Sequence, residues 1–203
     1  SQEVLRSPDV YSSAMEAMSL GNVRPLIPLQ IDPPEHKNYR RVLDPIFAPR
    51  QMALLDDSVR ILVNRLIDRF IERGTCELVT ELTVPFPSEV FLTMLGLPLE
   101  HLPRFLVMKD AIVRAEGATD AEREAFRAKA GADIYEYFEQ VITEREAEPG
   151  DDLVSRFLAT EVDGVQLSRN EILDICYLFL IAGLDTVTAT LDCFFTYLAE
   201  HPE

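Results

Sequence analysis

Two groups of residues in this chain have types and spacing suited to chemistry. The first is Ala182-Gly183-Leu184-Asp185-Thr186, which sets an acid and a hydroxyl inside an apolar run. From Ile175 to Leu184 every residue is apolar or glycine, and Asp185 interrupts the pattern. Gly in a helix interior costs about 1 kcal/mol relative to Ala. A buried, unpaired carboxylate is costly or takes up a proton. Local stability does not account for these choices, whereas a ligand pressed against the helix would. Gly183 lets a flat group approach the backbone, and Asp185 and Thr186 can pass protons. Thr186 can also bond back to the carbonyl of Ala182 and bend the helix there. A capped core helix whose Asp meets a buried Arg, and whose Thr is self-satisfied, explains the same five residues equally well.

The second group is His36 and Arg40, four residues apart and so on one helical face, with Lys37 and Arg41 beside them. The chain carries a net charge of −16, so a local basic cluster stands out. One reading is an anion held by His36 and Arg40. The other is a solvated helix face.

The elements that must position these residues are helical. Ser168 with Glu171 three residues later is a capping box, and Pro202 supplies a stop. About thirty residues between them would span roughly 45–50 Å. The apolar run predicts a middle that is buried all round. That run is half the ~20 residues a membrane span needs, and no segment is expected to cross a membrane. Asp32-Pro33-Pro34-Glu35 predicts a second helix start, with Asp32 as the cap and the helix running to about Phe47.

Elsewhere the patterns predict a short helix at Gln2 to Arg6 and a loop from Gly21 to Ile31. An amphipathic helix from Ala53 to Arg73 presents Leu62, Leu66 and Phe70 on one stripe, with Gly74 as its C-cap. A short strand is expected at Cys76 to Val79. Helices are expected from Pro87 to Leu95, closed by Gly96, and from Leu99 to Ala115. The capping box Thr119/Glu122 opens a charged helix to about Glu146. Asp151 to Thr160 is short and amphipathic, and Asp163-Gly164 reads as a tight turn of a small hairpin. The expected fold is mainly α: a multi-helix array around a long central helix, with at most two short strand pieces.

The chain has 203 residues and 47% hydrophobic content, enough for one sizeable core. Its acidity argues against nucleic acid and anionic membranes as partners. Cys76, Cys176 and Cys193 have no metal-binding spacing. Free thiols and no signal peptide predict a cytoplasmic location.

Two stretches, in order, carry a resemblance. Ala182-Gly183-Leu184-Asp185-Thr186 in a long helix resembles the oxygen-binding helix of the cytochromes P-450. DPPEHKNYRRVLDPIFAPRQM, from Asp32 to Met52, closely resembles the corresponding helix of the soluble bacterial members. The resemblance covers essentially the whole chain. It implies a haem-dependent monooxygenase (an oxidoreductase) that hydroxylates an apolar small molecule with electrons from a ferredoxin-type donor. His36 and Arg40 would donate to the haem propionates, with Ala182 and Gly183 also against the cofactor. Asp185 and Thr186 would deliver protons, and Leu178, Ile181 and Ala182 would line the substrate side. Lys37 and Arg41 would face the acidic electron donor. Gly21 to Ile31 and Ile112 to Thr119 would be mobile segments around substrate entry.

The chain departs from the family pattern after the long helix. No E-x-x-R helix follows it, and no cysteine has the F-x-x-G-x-x-x-C-x-G context of the iron ligand. Residues 1–203 are therefore expected to be the helical, distal part of one larger domain, inactive by itself and containing no iron ligand. A non-catalytic helical module that binds a partner or an apolar ligand would explain the helices, but not the coincidence of the two stretches.

Overall fold

The computed structural model describes residues 2–15, 19–162 and 164–201. The described chain is mainly α, with one two-stranded ribbon. In chain order the helices are α1 (Gln2–Arg6), α2 (Glu35–Leu43), α3 (Pro49–Met52), α4 (Asp56–Asp68), α5 (Pro85–Met94), α6 (Leu102–Val113), α7 (Asp120–Ala147), α8 (Leu153–Leu158) and α9 (Arg169–Glu200). Strands β1 (Glu161–Val162) and β2 (Val165–Gln166) pair antiparallel in the expected small hairpin; Asp163 at its turn lies outside the described residues.

The central element is α9. Its 32 residues span about 48 Å. Both arms of its capping box are made: Glu171 N donates to Ser168 Oγ at 3.3 Å, and Ser168 N donates to Glu171 Oε2 at 2.7 Å. The expected stop at Pro202 lies outside the described residues. The same reciprocal cap opens α7 at Thr119 and Glu122. Helices α5, α6, α7 and α8 pack against α9. The main core joins Ile172, Ile175, Tyr177 and Leu180 of α9 to Phe105 of α6, Ile134 and Phe138 of α7 and Phe157 of α8. A smaller cluster unites Leu62 and Leu66 of α4 with Leu82, and Phe70 packs beside it.

Several expectations are corrected. The middle of α9 is not buried all round: Leu178 and Ile181 are only half-buried against the core and Ala182 is exposed. By length and composition α9 is also apolar enough to cross a membrane; half of its most apolar window is packed inside the chain, as a core helix would be. Asp32 does not cap α2. Its carboxylate accepts instead from the Ser12 hydroxyl and, at 2.8 Å, from Ser13 N. The helix accordingly begins at Glu35 without a side-chain cap and tightens into a 3-10 turn over Asp44–Phe47. The expected helix over Ala53 to Arg73 is broken into α4 and flanking 3-10 turns, with Gly74 in the left-handed conformation at its end.

No strand forms at Cys76 to Val79. Val79–Thr83 is instead a π turn. Tertiary bonds select it: Thr83 Oγ1 donates to Asp192 of α9, and Thr188 Oγ1 donates to Thr83 O at 2.9 Å. The loop from Gly21 to Ile31 is held closely in place. Tyr177 Oη donates to Leu20 O at 2.6 Å, and a Cβ on Gly131 would meet Gly21 O at 2.0 Å. That contact explains a glycine in the middle of α7.

Candidate active site

Residues Leu178, Ala182 and Thr186 are spaced i, i+4, i+8 along α9 and form its open stripe. Thr186 is exposed, and its hydroxyl donates to Ala182 O at 2.7 Å, the back-bond expected from its position. The hydroxyl therefore has a ground-state partner that a stronger acceptor can replace without leaving a buried group unpaired.

Asp185 lies on the adjoining face and is doubly paired. Its Oδ1 accepts from Lys109 Nζ at 3.1 Å and from Arg114 Nη2 at 3.1 Å. The buried-Arg partner of the simpler reading is thus replaced by a buried Lys of α6 and an exposed Arg just beyond it. Lys109 and Arg114 also share Asp110. Burial opposes ionisation of Asp110, yet the two cations outweigh it and hold its carboxyl below the usual range. Lys109 was not anticipated from sequence. The available signal was a charge on the buried stripe of α6, one residue after Met108 and three before Ile112.

Gly183 has a different neighbour from the one expected. A Cβ there would lie 2.6 Å from Cδ2 of Phe91. The flat group pressed on this part of the helix is the ring of α5. Gly183 and Ala182 nevertheless line an apolar cavity of about 420 Å³, with Phe47, Phe91, Phe179 and Val187 among its walls. Leu178 and Ile181 are not on that cavity. Both are partly buried against the main core, on the stripe they share with Ala182 beside that cavity.

His36 and Arg40 lie on α2 as their spacing predicts. His36 is half-buried. The Arg40 side chain is 54% exposed and pairs at 2.9 Å with Asp44, four residues on at the end of α2. An exposed i, i+4 pair contributes less than about 1 kcal/mol, so it does not compete strongly with an anionic ligand. Arg40 borders an open depression together with Arg41, Asp44 and Phe47. Phe47 also lines the apolar cavity at Ala182 and stacks edge-on against Phe179, with ring centroids 5.4 Å apart. One aromatic side chain thus joins a cationic depression to an apolar cavity bordered by α9.

This juxtaposition suits a flat, apolar group with anionic edges, and comparison with known proteins names such a group. The Cytochrome P-450 family model matches residues 26–203. The chain belongs to the cytochrome P-450 family. Haem is the cofactor of that family, and the donor set here fits it: cationic donors on α2, small residues on α9 and apolar walls between them. A probable cytochrome P-450 127A1 of Sinorhizobium fredii is 29% identical over all of this chain and 48% of its own length. A steroid C26-monooxygenase of Mycobacterium tuberculosis is 33% identical over 92% of this chain and 50% of its own length. Among solved structures, a mutant of P-450 EryK in complex with erythromycin B superposes with a TM-score of 0.84 at 31% identity, over 99% of this chain and 52% of that one. CYP109E1 of Bacillus megaterium in complex with testosterone gives 0.82 at 27% identity, over 98% and 55%. The chain spans about half the length of these P-450 relatives.

The cysteines within the chain bear on the axial ligand of a P-450. Cys176 is fully buried, and burial, reinforced by Asp152, pushes its thiol far above the usual range. A thiol that resists ionisation is a poor iron ligand. Cys193 is exposed on α9, the same helix as Thr186, and Cys76 is exposed before the π turn.

Proposed function

We propose that this chain is the distal, oxygen-side part of a P-450 monooxygenase that hydroxylates an apolar small molecule. The observation that carries the proposal is the shared wall at Phe47, which joins the Arg40 depression to the Ala182–Gly183 cavity in a chain of this family. Bound haem supplies dioxygen activation. The chain supplies position and protons. His36 and Arg40 would hold the haem's anionic edge by charge-assisted bonds. Ala182, with its small side chain, would leave room for the cofactor, while Gly183 keeps the helix close to Phe91. Thr186 would release its bond to Ala182 O and donate its hydroxyl proton into the open side of the helix. Asp185, held by Lys109 and Arg114, would turn away from them, take up a proton from water and pass it to Thr186.

Leu178, Ile181 and Ala182 form an apolar stripe suited to an apolar substrate. The steroid-acting and testosterone-bound relatives favour a ring-rich compound. Lys37 and Arg41 form an exposed basic edge in an acidic chain, which suits an acidic ferredoxin as electron donor. The exposed free thiols Cys76 and Cys193 suit the reducing cytoplasm.

The test uses the complete protein. Its reduced, carbon-monoxide-bound form should give the thiolate-type Soret band, and testosterone should serve as the first substrate probe by difference spectroscopy. Thr186→Ala should keep haem and substrate binding while diverting electrons to hydrogen peroxide. Full coupling of electron use to product in Thr186→Ala would overturn the proton role. A complete protein without the thiolate band would overturn the monooxygenase reading.

A further inference from the structure

The first turns of α9 carry two acids three residues apart, Glu171 and Asp174. Each is held by a tyrosine from a different helix. Tyr135 of α7 donates to Asp174 Oδ1 at 2.7 Å, and Tyr39 of α2 donates to Glu171 Oε1 at 2.6 Å. Glu171 is therefore committed twice. Its Oε2 completes the capping box of α9, and its Oε1 holds α2. Burial opposes ionisation of Glu171, but the bonds from Tyr39 and Ser168 prevail and hold its carboxyl below the usual range. The Tyr39 hydroxyl is pushed far above its ordinary range, first by burial and then by Glu171, so it remains a donor.

The other fixings of helix α2 are apolar: Val42 packs against the main core beside Leu43, and the helix lies against β1. It is nine residues long, and its one fully buried residue is Leu43. A helix shorter than about 12–15 residues is marginal on its own in water. Tyr39 sits between His36 and Arg40 in sequence, so the bond that ties it to α9 lies within the segment that carries both residues. Eight residues further along each chain segment, Phe47 meets Phe179 and gives a second point of attachment.

We propose that Tyr39, acting through Glu171, is a positioning residue. It fixes α2, and with it the anion-holding edge of His36 and Arg40, against the helix that carries Asp185 and Thr186. The inference rests on the reading of α2 as the propionate-holding helix. Loss of the Tyr39 hydroxyl leaves Leu43 and Phe47 in place but lets the part of α2 that precedes Leu43 move, so His36 and Arg40 lose their fixed distance from α9.

The experiment uses the complete, haem-loaded protein. Tyr39→Phe, Arg40→Ala and the double variant Tyr39→Phe/Glu171→Gln are compared by the rate of haem transfer to apomyoglobin and by amide hydrogen exchange over residues 36–43. Tyr39→Phe should release haem about tenfold faster, equivalent to roughly 1.4 kcal/mol, and should exchange faster over 36–43 but not over α7. Adding Glu171→Gln should change haem release little further, because both changes remove the same bond. Faster release from Arg40→Ala with wild-type release from Tyr39→Phe would overturn the inference. Wild-type release from both, with faster exchange in Tyr39→Phe, would overturn the propionate reading of α2 and leave the tie between the helices standing.

Discussion

Lys109 Nζ lies 3.1 Å from Asp185 Oδ1, and the lysine side chain is only 6% exposed. A buried ammonium from α6 therefore supports the acid placed in the middle of α9. Arg114 reaches the same oxygen from a side chain that is 59% exposed. The two cations are not equivalent, because water screens the second and not the first. Asp185→Asn should cost about 1–3 kcal/mol by leaving Lys109 with Asp110 alone. Arg114→Ala should cost under about 1 kcal/mol. Urea unfolding of both variants measures the difference, and equal losses would contradict this account of the site.

Gly183→Ala tests the contact with Phe91. The added methyl group meets Cδ2 at 2.6 Å, and a ring buried in the core has little room to move. Overpacking of this kind costs about 1–3 kcal/mol. The variant should melt at a lower temperature, and Phe91→Leu in the same background should restore part of the loss. A wild-type melting temperature in Gly183→Ala would show that the site accommodates the methyl group.

Asp174 gives a pH-dependent prediction. Its carboxyl is pushed above the ordinary range, first by burial, against the opposing bonds from Arg24 and Tyr135. Arg24 Nε donates to Asp174 Oδ2 at 3.0 Å, and its guanidinium lies over the Tyr135 ring at 4.8 Å from the centroid. The nearby charge of Glu171 also raises it, and Asp174 in turn acts on Tyr39. A carboxyl whose folded pKa is raised contributes stability at acid pH that is lost as pH rises through the folded value. Arg24→Met should raise that value further. The stability lost in Arg24→Met should therefore be larger at pH 7 than at pH 4, because rising pH favours the charged carboxyl that Arg24 supports. Urea unfolding at pH 4, 5.5 and 7 tests this, and a pH-independent difference would show that Arg24 acts through packing alone.

Thr188→Val probes the π turn. The single hydroxyl proton is shared between Thr83 O, at 2.9 Å, and Leu184 O, at 3.2 Å, both in the buried interior. Replacement by the isosteric Val leaves Thr83 O without this donor and should cost about 1–2 kcal/mol. Hydrogen exchange should rise over residues 79–84. Unchanged exchange there would mean that the Thr83 bond to Asp192 suffices.

The sequence by itself determined the features governed by neighbours a few residues apart. The capping boxes at Ser168/Glu171 and Thr119/Glu122, the length of α9, the shared face of His36 and Arg40 and the back-bond of Thr186 are all contacts within one helical turn. The two motif stretches, Asp32 to Met52 and Ala182 to Thr186, likewise carry the resemblance to the P-450 family in the sequence alone. Only the tertiary structure decided which partner each side chain met across the chain. Asp185 is 76 residues from Lys109, and Gly183 is 92 residues from Phe91; no local spacing encodes either meeting. The same competition overrode local rules. Asp32 has the form of an N-cap, but donors from Ser12 and Ser13 claimed its carboxylate. Cys76 to Val79 has strand-like residues, but bonds from α9 to Thr83 favoured a π turn. Local propensities differ by less than about 1 kcal/mol per residue. One buried hydrogen bond or core contact outweighs that, so distant partners made the final choice wherever they were within reach.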